Sequence, residues 1–547
     1  MRSDTPAAAP QLLPDLVEAL RDDLSQARYT VERTEQLLGE VAVAALHRED
    51  PLPARRALAG ASDPAAILFS LFTLGAELPA ARVAEVLPTL GTEGAQELGI
   101  LAPAAGRAAA GGAPSLLHAT IDLSPYSAQD DHGHIDWWIA SDRSELATRA
   151  ALRPDHVLGV GGASLTLARI TPRARVRRVL DLGCGSGIQA LHATRHATHV
   201  IATDLSERAL AFTAFNAALN RAQVEVRQGS LLDPVAGETF DLIVSNPPFV
   251  ITPRTPGDDA DRFTYRDGGR AGDSLLAELL EALPAHLAPG GTAVMLGNWE
   301  RSGSQEWDQH PRRWLARAQA EGLDCWVIQR ESEDPAQYAG TWARDGGITP
   351  RDPQWPCLID GWLDDFESRN VRDIGFGYVL MRRPLPAAPT DAAAAEGSGP
   401  TPGAPAPAPA GGPAGTMRIE QATGTGSGSL GGHLAAGLRM MQRLRALDDA
   451  QLARTRPRRA ADLIERRHLV PGAWDPSLIE LVQGAGLART IPADQVLAAT
   501  VGALDGTLTL GQTIGAVCAL TGDDPDQVEK RLMPQLRELL LTGMLEL

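Results

Sequence analysis

Val179-Leu-Asp-Leu-Gly-Cys-Gly-Ser-Gly187, followed further on by Asp241-Leu-Ile-Val-Ser-Asn-Pro-Pro-Phe249, are the two phrases that decide how this 547-residue chain is read. In the first, a short apolar strand enters a loop carrying Gly183, Gly185 and Gly187, and a helical pattern follows from Ile188 to Arg195. Glycines at such a turn accept dihedrals that a side chain forbids and let the backbone approach a ligand closely. A dinucleotide fingerprint wants Gly-x-Gly-x-x-Gly, and its third glycine falls here on the bulky Ile188. The spacing is instead Gly-x-Gly-x-Gly with Asp181 two positions before it. An acid at that strand end suits a cationic ligand; the plainer alternative is that Asp181 caps the helix of an ordinary strand-to-helix turn.

The order of the following residues adds weight to the ligand. His199-Val-Ile-Ala-Thr-Asp204 reads as a second strand ending in an acid, the place where a doubly wound nucleotide-binding fold meets ribose hydroxyls. Ser206 then reads as the N-cap of a helix running to Asn220. A third strand, Val224 to Arg227, leads to Gly229-Ser-Leu-Leu-Asp233. A fourth, Phe240 to Val244, delivers Asn246-Pro-Pro-Phe249.

The Asn-Pro-Pro phrase suits an amide-like nitrogen. An exocyclic NH2 of a base, or the NH2 of a glutamine side chain, is a poor nucleophile because its lone pair is delocalised. The side-chain oxygen of Asn246 and the carbonyl of Pro247 are two acceptors for its N–H bonds, favouring a pyramidal nitrogen in the transition state. Pro247 and Pro248 stiffen the loop, and Phe249 offers a stacking face for a planar substrate. Asn-Pro-Pro is also good turn chemistry; directly after a fourth strand behind the glycine loop, the reactive reading is preferred.

On these motifs, residues 155–384 resemble a class I S-adenosylmethionine-dependent methyltransferase of the small-domain group with Asn-Pro-Pro-Phe/Tyr, which includes rRNA and DNA base methyltransferases and release-factor glutamine methyltransferases. The resemblance implies an α/β fold, a Rossmann-like seven-stranded doubly wound sheet, and S-adenosylmethionine as cofactor. It implies that Asp181, Gly183, Gly185 and Gly187 hold the methionine end, Asp204 the ribose, and Ser230 and Leu231 the adenine. Asn246, Pro247, Pro248 and Phe249 would hold the target nitrogen. Phe249 leans towards the base-modifying members, whereas Arg266-Asp-Gly-Gly269 has a faint likeness to the glutamine branch. The expected substrate is thus nucleic acid, RNA before DNA, with a protein of translation as the alternative.

The rest of the chain divides by composition. Residues 1–110 read as a helical or winged-helix-like module, with Thr30, Asp63 and Thr92 as caps. Residues 115–153 read as a β-hairpin connector formed by Leu117 to Tyr126 and Ile135 to Ser141, with His132 and His134 decorating the turn. Residues 154–384 carry the catalytic fold, and Gly159 to Ser164 form a second glycine-rich loop, expected to close over the cofactor through Ser164 or Thr166. Asp334 to Asn370 is an insertion whose Tyr338, Trp342, Trp355 and Trp362 read either as a substrate wall or as a satellite core. Residues 385–416 are nearly all Ala, Pro, Gly, Ser and Thr and read as a disordered tether. Residues 417–547 read as a second helical or winged-helix-like module with an extended piece at Thr507 to Leu510.

Net charge is −18, and Lys530 is the lone lysine. Such acidity argues against a phosphate-binding surface everywhere, while leaving Arg454, Arg456, Arg458, Arg459, Arg466 and Arg467 as a local candidate, expected around a short helix. Cys184, Cys325, Cys357 and Cys518 are scattered without a Cys-x-x-Cys pair, so no metal site is expected and a reducing compartment is. The absence of a basic-apolar leader or a bilayer-length apolar run points to a cytoplasmic protein with no membrane partner. Nothing in the sequence sets an oligomeric state.

Overall fold

A computed structural model describes residues 8–104, 115–144, 155–248, 250–253, 272–386 and 414–547. Its centre is one sheet formed by Val176–Leu182 (β1), Ala197–Asp204 (β2), Glu225–Gln228 (β3), Phe240–Ser245 (β4), Leu287–Ser302 (β5), Asp324–Glu333 (β6), Val371–Arg382 (β7) and Met417–Gln421 (β8). The order is β8-β6-β7-β5-β4-β1-β2-β3. Every neighbouring pair is parallel except those involving β7, which runs antiparallel between β5 and β6. Strand order reverses between β1 and β4, and at such a switch point the carboxyl ends of the strands open a crevice for ligands.

The central strands β1, β2, β4 and β5 are apolar on both faces along their buried stretches because both faces are covered. Leu180, Leu182, Ile243 and Met295 enter one core, and Val179, Val244, Val294 and Trp326 the other. The helices that bear on the crevice are Gly162–Ile170 (α1), Ile188–Thr194 (α2) and Glu207–Leu219 (α3).

Seven of the eight strands follow the expected doubly wound pattern; β8 arrives from beyond the Ala/Pro/Gly stretch. It pairs parallel with β6 from Cys325↔Met417 to Gln329↔Gln421, and the Cys325 amide donates to the Thr416 carbonyl at 2.8 Å. Helix Leu430–Arg445 (α6, after the two insertion helices named below) then lays Leu434, Leu438 and Met441 into the same core as Val179 and Val244. A Cβ at Gly437 would stand 2.4 Å from the Trp326 ring, so only glycine lets helix and strand meet there. The boundary expected at 416/417 therefore runs through a shared core. Residues 387–413 of the expected tether lie outside the described residues.

The N-terminal module contains Pro64–Phe72, Ala80–Val86 and Gly91–Glu97 as helices and a three-stranded antiparallel sheet in which Leu116–Ala119 lies between Leu78–Pro79 and Leu101–Pro103. Thr30 and Asp63 cap helices as expected, through bonds from the amides of Arg33 and Ala65; Thr92 does not, because Leu90 occupies the cap position. The run Leu117 to Tyr126 is split: its start belongs to this sheet, and the hairpin is Asp122–Asp130 with Gly133–Ser141. The hairpin binds α3 through Asn216, whose side chain both accepts from the Ala140 amide (2.7 Å) and donates to the Ala140 carbonyl (2.8 Å).

In the C-terminal part, Leu463–Leu469, Pro476–Gln483 and Thr490–Ala493 form an antiparallel sheet that helical periodicity does not announce. The expected extended piece at Thr507 to Leu510 is instead a helix start: Thr509 and Gln512 form a capping box for Leu510–Thr521. The arginines expected around a helix lie partly on strands, Arg458 and Arg459 on one and Arg466 and Arg467 on another. No described helix is long and apolar enough to cross a membrane.

Candidate functional site

Leu182 and Ser245 are register partners at the carboxyl ends of β1 and β4, so the glycine loop and the Asn-Pro-Pro loop leave the sheet side by side. The Ser245 hydroxyl donates to the Leu182 carbonyl at 2.8 Å and ties the two exits together. A Cβ built on Gly183 would lie 4.0 Å from the Asn246 carbonyl oxygen. The two phrases of the sequence are thus neighbours in space.

The loop's glycines are required for two different reasons. All three have positive φ, +73° at Gly183, +54° at Gly185 and +82° at Gly187. At Gly187 there is also no room, since a Cβ would stand 2.8 Å from Thr213 side-chain atoms. At Gly185 a Cβ would meet nothing within 4 Å, so that position faces open space. Thr213 and Asn216, on one face of α3, hold the loop from behind. The Thr213 hydroxyl donates to the Gly185 carbonyl (3.0 Å) and the Asn216 amide to the Ser186 carbonyl (2.8 Å). Sequence reading missed both; the available signal was two polar residues on an otherwise apolar helix face.

Asp181 is buried and accepts from the Ala190 amide in the first turn of α2 at 2.8 Å, so it does brace that helix. One hydrogen bond does not offset its burial, and with Asp204 adding repulsion the carboxyl is pushed up to about 7. Asp204 also braces the turn, accepting from the Gly185 amide (3.0 Å) and the Ser206 amide (2.9 Å). Burial raises its pKa as well, against the pull of those amides. Two desolvated acids under a glycine turn make a site whose electrostatics favour a cation. Cys184 is buried in the same loop, its thiol driven well above the usual range by burial, and it packs rather than reacts.

Ser230 is exposed, its carbonyl accepting from the Asp233 amide, and Leu231 holds a left-handed backbone at φ +45°. A non-glycine residue in that region is strained. The Gly229 amide donates to the Asp204 carbonyl at 3.0 Å, which brings the strained loop to the end of β2. Ser164 reaches the glycine-loop helix through its carbonyl, which accepts from Gln189 at 2.7 Å.

On the reaction side, Asn246 is half-buried, Pro247 buried and Pro248 half-buried. The Asn246 side-chain oxygen is buried and has no hydrogen-bond partner among the described residues. An orphaned buried acceptor costs free energy unless something donates to it. Phe249 and the segment 254–271, with Arg266 and Asp267, lie outside the described residues. Just beyond Phe249, the Ile251 amide donates to the Tyr338 hydroxyl at 3.0 Å, and Asn298 of β5 donates to the same hydroxyl at 2.7 Å. Tyr338 belongs to the insertion, which folds as helices Pro335–Asp345 (α4) and Trp355–Ser368 (α5). Tyr338, Trp362 and Phe366 are buried with Val250 and Ile251, so these aromatics are a satellite core behind the reaction loop rather than an open wall.

A depression of about 550 Å³ lined by Arg177, Arg178, His199 and Asp241 sits at the opposite, amino end of β1 and β2. Its polar groups are spent locally: Asp241 accepts the Arg177 and Arg178 amides, and His199 lies 3.0 Å from Glu225.

Residues 159–306 match the family described as methyltransferase small domain, and residues 26–111 match a domain of unknown function, DUF7059. A release factor glutamine methyltransferase of Xylella fastidiosa is 37% identical over 161 residues, 28% of this chain and 58% of that protein. The ribosomal protein uL3 glutamine methyltransferase of Bradyrhizobium diazoefficiens is 32% identical over 161 residues, 28% of this chain and 50% of that protein. The ribosomal RNA small subunit methyltransferase C of Alcanivorax borkumensis is 28% identical over 123 residues, 22% of this chain and 33% of that protein. The chain thus spans little more than half the length of the first of these relatives. Among solved structures, the T. thermophilus 16S rRNA N2 G1207 methyltransferase aligns at 17% identity with a TM-score of 0.24, over 49% of this chain and 66% of that one.

Proposed function

We propose that this chain, a class I methyltransferase by the small domain it carries at residues 159–306, is an S-adenosylmethionine-dependent N-methyltransferase that modifies a planar NH2 group in the translation apparatus. The observation that carries the reading is the Asn246 side-chain oxygen, a buried acceptor beside the glycine loop with no donor among the described residues. The residues present fit the cofactor: Gly185 faces open space, and the acids Asp181 and Asp204 lie beneath the turn that would face a sulfonium and an ammonium. Asp204 is assigned to the ribose, and Ser230 and Leu231 to the adenine.

Bound there, S-adenosylmethionine supplies an electrophilic methyl group. The chain's own part is to prepare the nucleophile. Asn246 Oδ1 and the Pro247 carbonyl take the two N–H bonds, which draws the lone pair out of the planar system. The prolines fix both acceptors before the substrate arrives, and Phe249 is assigned to stacking. As the N–C bond forms and the S–C bond breaks, nitrogen becomes cationic and sheds a proton to water, so no strong base is needed.

The favoured target is the exocyclic amine of an RNA base. The shared core is similar to relatives of both branches, so the choice rests on the flanks, where six arginines cluster against two acids between residues 454 and 467. The second reading, a glutamine side chain, is favoured by the higher identity of the glutamine methyltransferases. The deciding experiment incubates the protein with methyl-labelled S-adenosylmethionine and ribosome-containing extract, then digests with ribonuclease or protease. Label released by ribonuclease supports the base. Label released only by protease replaces it with glutamine, and no label sinks both.

A further inference from the structure

Asn298 lies on β5, past the point where that strand leaves β4, and is 1% exposed. Its side-chain nitrogen donates to the Tyr338 hydroxyl, while its side-chain oxygen is buried and has no hydrogen-bond partner among the described residues. An acceptor shut away in this manner costs free energy until a donor reaches it. Asn246 has the same deficit. Two orphaned carboxamide oxygens therefore stand at the carboxyl end of neighbouring strands.

Register and pleat put them on one face. Met295 is opposite Ser245, so continuing by one residue sets Asn246 beside Leu296. Asn246 precedes a proline, which keeps its backbone extended. A Cβ on Gly297 would stand 2.6 Å from Leu276, so that position faces the helix Ser274–Ala282, and its neighbours Leu296 and Asn298 face the other way. On that other side Leu296 shares a core with Val244, and Asn246, two residues past Val244, falls on the same face. With strands about 4.8 Å apart and a rise of about 3.3 Å per residue, the two asparagines are about 8 Å apart at Cα, which leaves room for one planar edge between their side chains. Tyr338 fixes the Asn298 carboxamide, and the same hydroxyl holds the Ile251 amide that follows the reaction loop.

A further acceptor beside the Asn246–Pro247 pair discriminates among planar amines by what flanks the NH2. In adenine and cytosine the neighbouring ring nitrogen is an acceptor, and in glutamine the neighbour is the carbonyl oxygen. Each would meet the Asn298 oxygen with a second lone pair. In guanine the neighbour is N1–H, a donor. We infer that Asn298 is a specificity-determining residue, which accepts the N1–H of a guanine whose N2 amine is held by Asn246 and Pro247, and that the chain methylates guanine N2 in RNA. The inference rests on the RNA reading of the function and narrows it to one atom. A site built to hydrogen-bond a substrate rejects one that leaves its buried polar group unpaired more strongly than an apolar wall rejects a near-isostere.

The test gives the full chain methyl-labelled S-adenosylmethionine with unmodified bacterial rRNA transcripts and, separately, with ribosome-containing extract, then digests the RNA to nucleosides. The expected label is in N2-methylguanosine. Asn298→Ala should lower kcat/KM for that transfer by about tenfold or more, the scale of one buried hydrogen bond, with cofactor affinity by calorimetry unchanged. Asn298→Asp keeps an oxygen acceptor and should retain most of the transfer. RNA carrying 2-aminopurine at the labelled position keeps the NH2 and lacks N1–H, so wild type should discriminate against it by about tenfold and Asn298→Ala should not. A merely structural Asn298 would slow both substrates alike, and that result overturns the assignment. Label in adenosine or cytidine overturns it as well, while RNA methylation stands. Label confined to protein, or none at all, removes the RNA reading and the assignment with it.

Discussion

Asn246 and Asp181 are the two side chains whose environments make the sharpest demands. Asn246→Ala removes the orphaned acceptor and with it the contact that forms only as nitrogen pyramidalises. Transfer should fall by about 10²–10³ or more, the scale of losing one preorganised hydrogen-bonding group, with cofactor affinity within about twofold of wild type. Single-turnover label transfer alongside calorimetry separates the two effects. For Asp181 the sign follows from its raised pKa: a carboxyl protonated below about 7 must lose its proton to face a cation. Cofactor affinity should therefore climb with pH towards about 7 and level off above it, with proton release visible as a buffer-dependent binding enthalpy. The same shift makes the ligand-free fold less stable as pH rises from the unfolded carboxyl range to about 7, because the native state there holds a proton the unfolded chain has lost. Asp181→Asn should raise the Tm at pH 8 more than at pH 5 while abolishing uptake. These residues were legible because their chemistry is local, an acid before a glycine turn and an amide before two prolines. Thr213 was not, because its role exists only once α3 is laid against the loop.

At the scale of elements, two devices hold the site. Tyr338 anchors both Ile251, after the reaction loop, and Asn298 on β5 through one hydroxyl. Tyr338→Phe keeps the ring in its core and leaves two buried donors unpaired, so a stability loss of about 1–3 kcal/mol is expected, with turnover lowered and cofactor affinity kept. Denaturant unfolding and label transfer measure the two. The second device is the hairpin Asp122–Asp130/Gly133–Ser141 against α2, where Tyr126 meets His192 at 2.8 Å and Arg195 pairs with Asp130. Burial, aided by Arg173, lowers His192 to about 3 and His196 to about 4. Both histidines remain neutral in the fold and take up protons in the unfolded chain below its ordinary imidazole range. Stability should fall as pH drops from about 6.5 towards 4, and a His192→Gln variant should unfold with a shallower acid dependence by circular dichroism. Doubly wound strands announce themselves by apolar runs next to glycine or Asn-Pro turns, so β1, β2 and β4 were readable. The strand Leu463–Leu469 was not, because Ile464-Glu-Arg-Arg-His468 pairs with a neighbour without burying a face and shows no alternation.

At the scale of the molecule, composition divides what packing joins. The Ala/Pro/Gly stretch reads as a boundary because it has nothing to bury, yet the chain on its far side returns to finish the sheet. Arg445, on the far side of that stretch, pairs with the fully buried Asp324 on the near side, and the Trp326 indole N–H donates to the Glu420 carboxylate at 2.7 Å. Charges arranged in this way across a seam lose their partners if the two sides part. Leu434, Leu438 and Met441 would be exposed by the same step, together with the Trp326 ring they cover. Cleavage within 387–413 by an inserted protease site should therefore leave two fragments that migrate together on size exclusion and still take up S-adenosylmethionine. A chain ending at residue 386 should instead expose the apolar flank of β6 and aggregate. Fragments that separate at neutral pH and low salt, with the first still soluble and binding cofactor, would mean that the eighth strand and α6 are an accessory to the fold and not a layer of it.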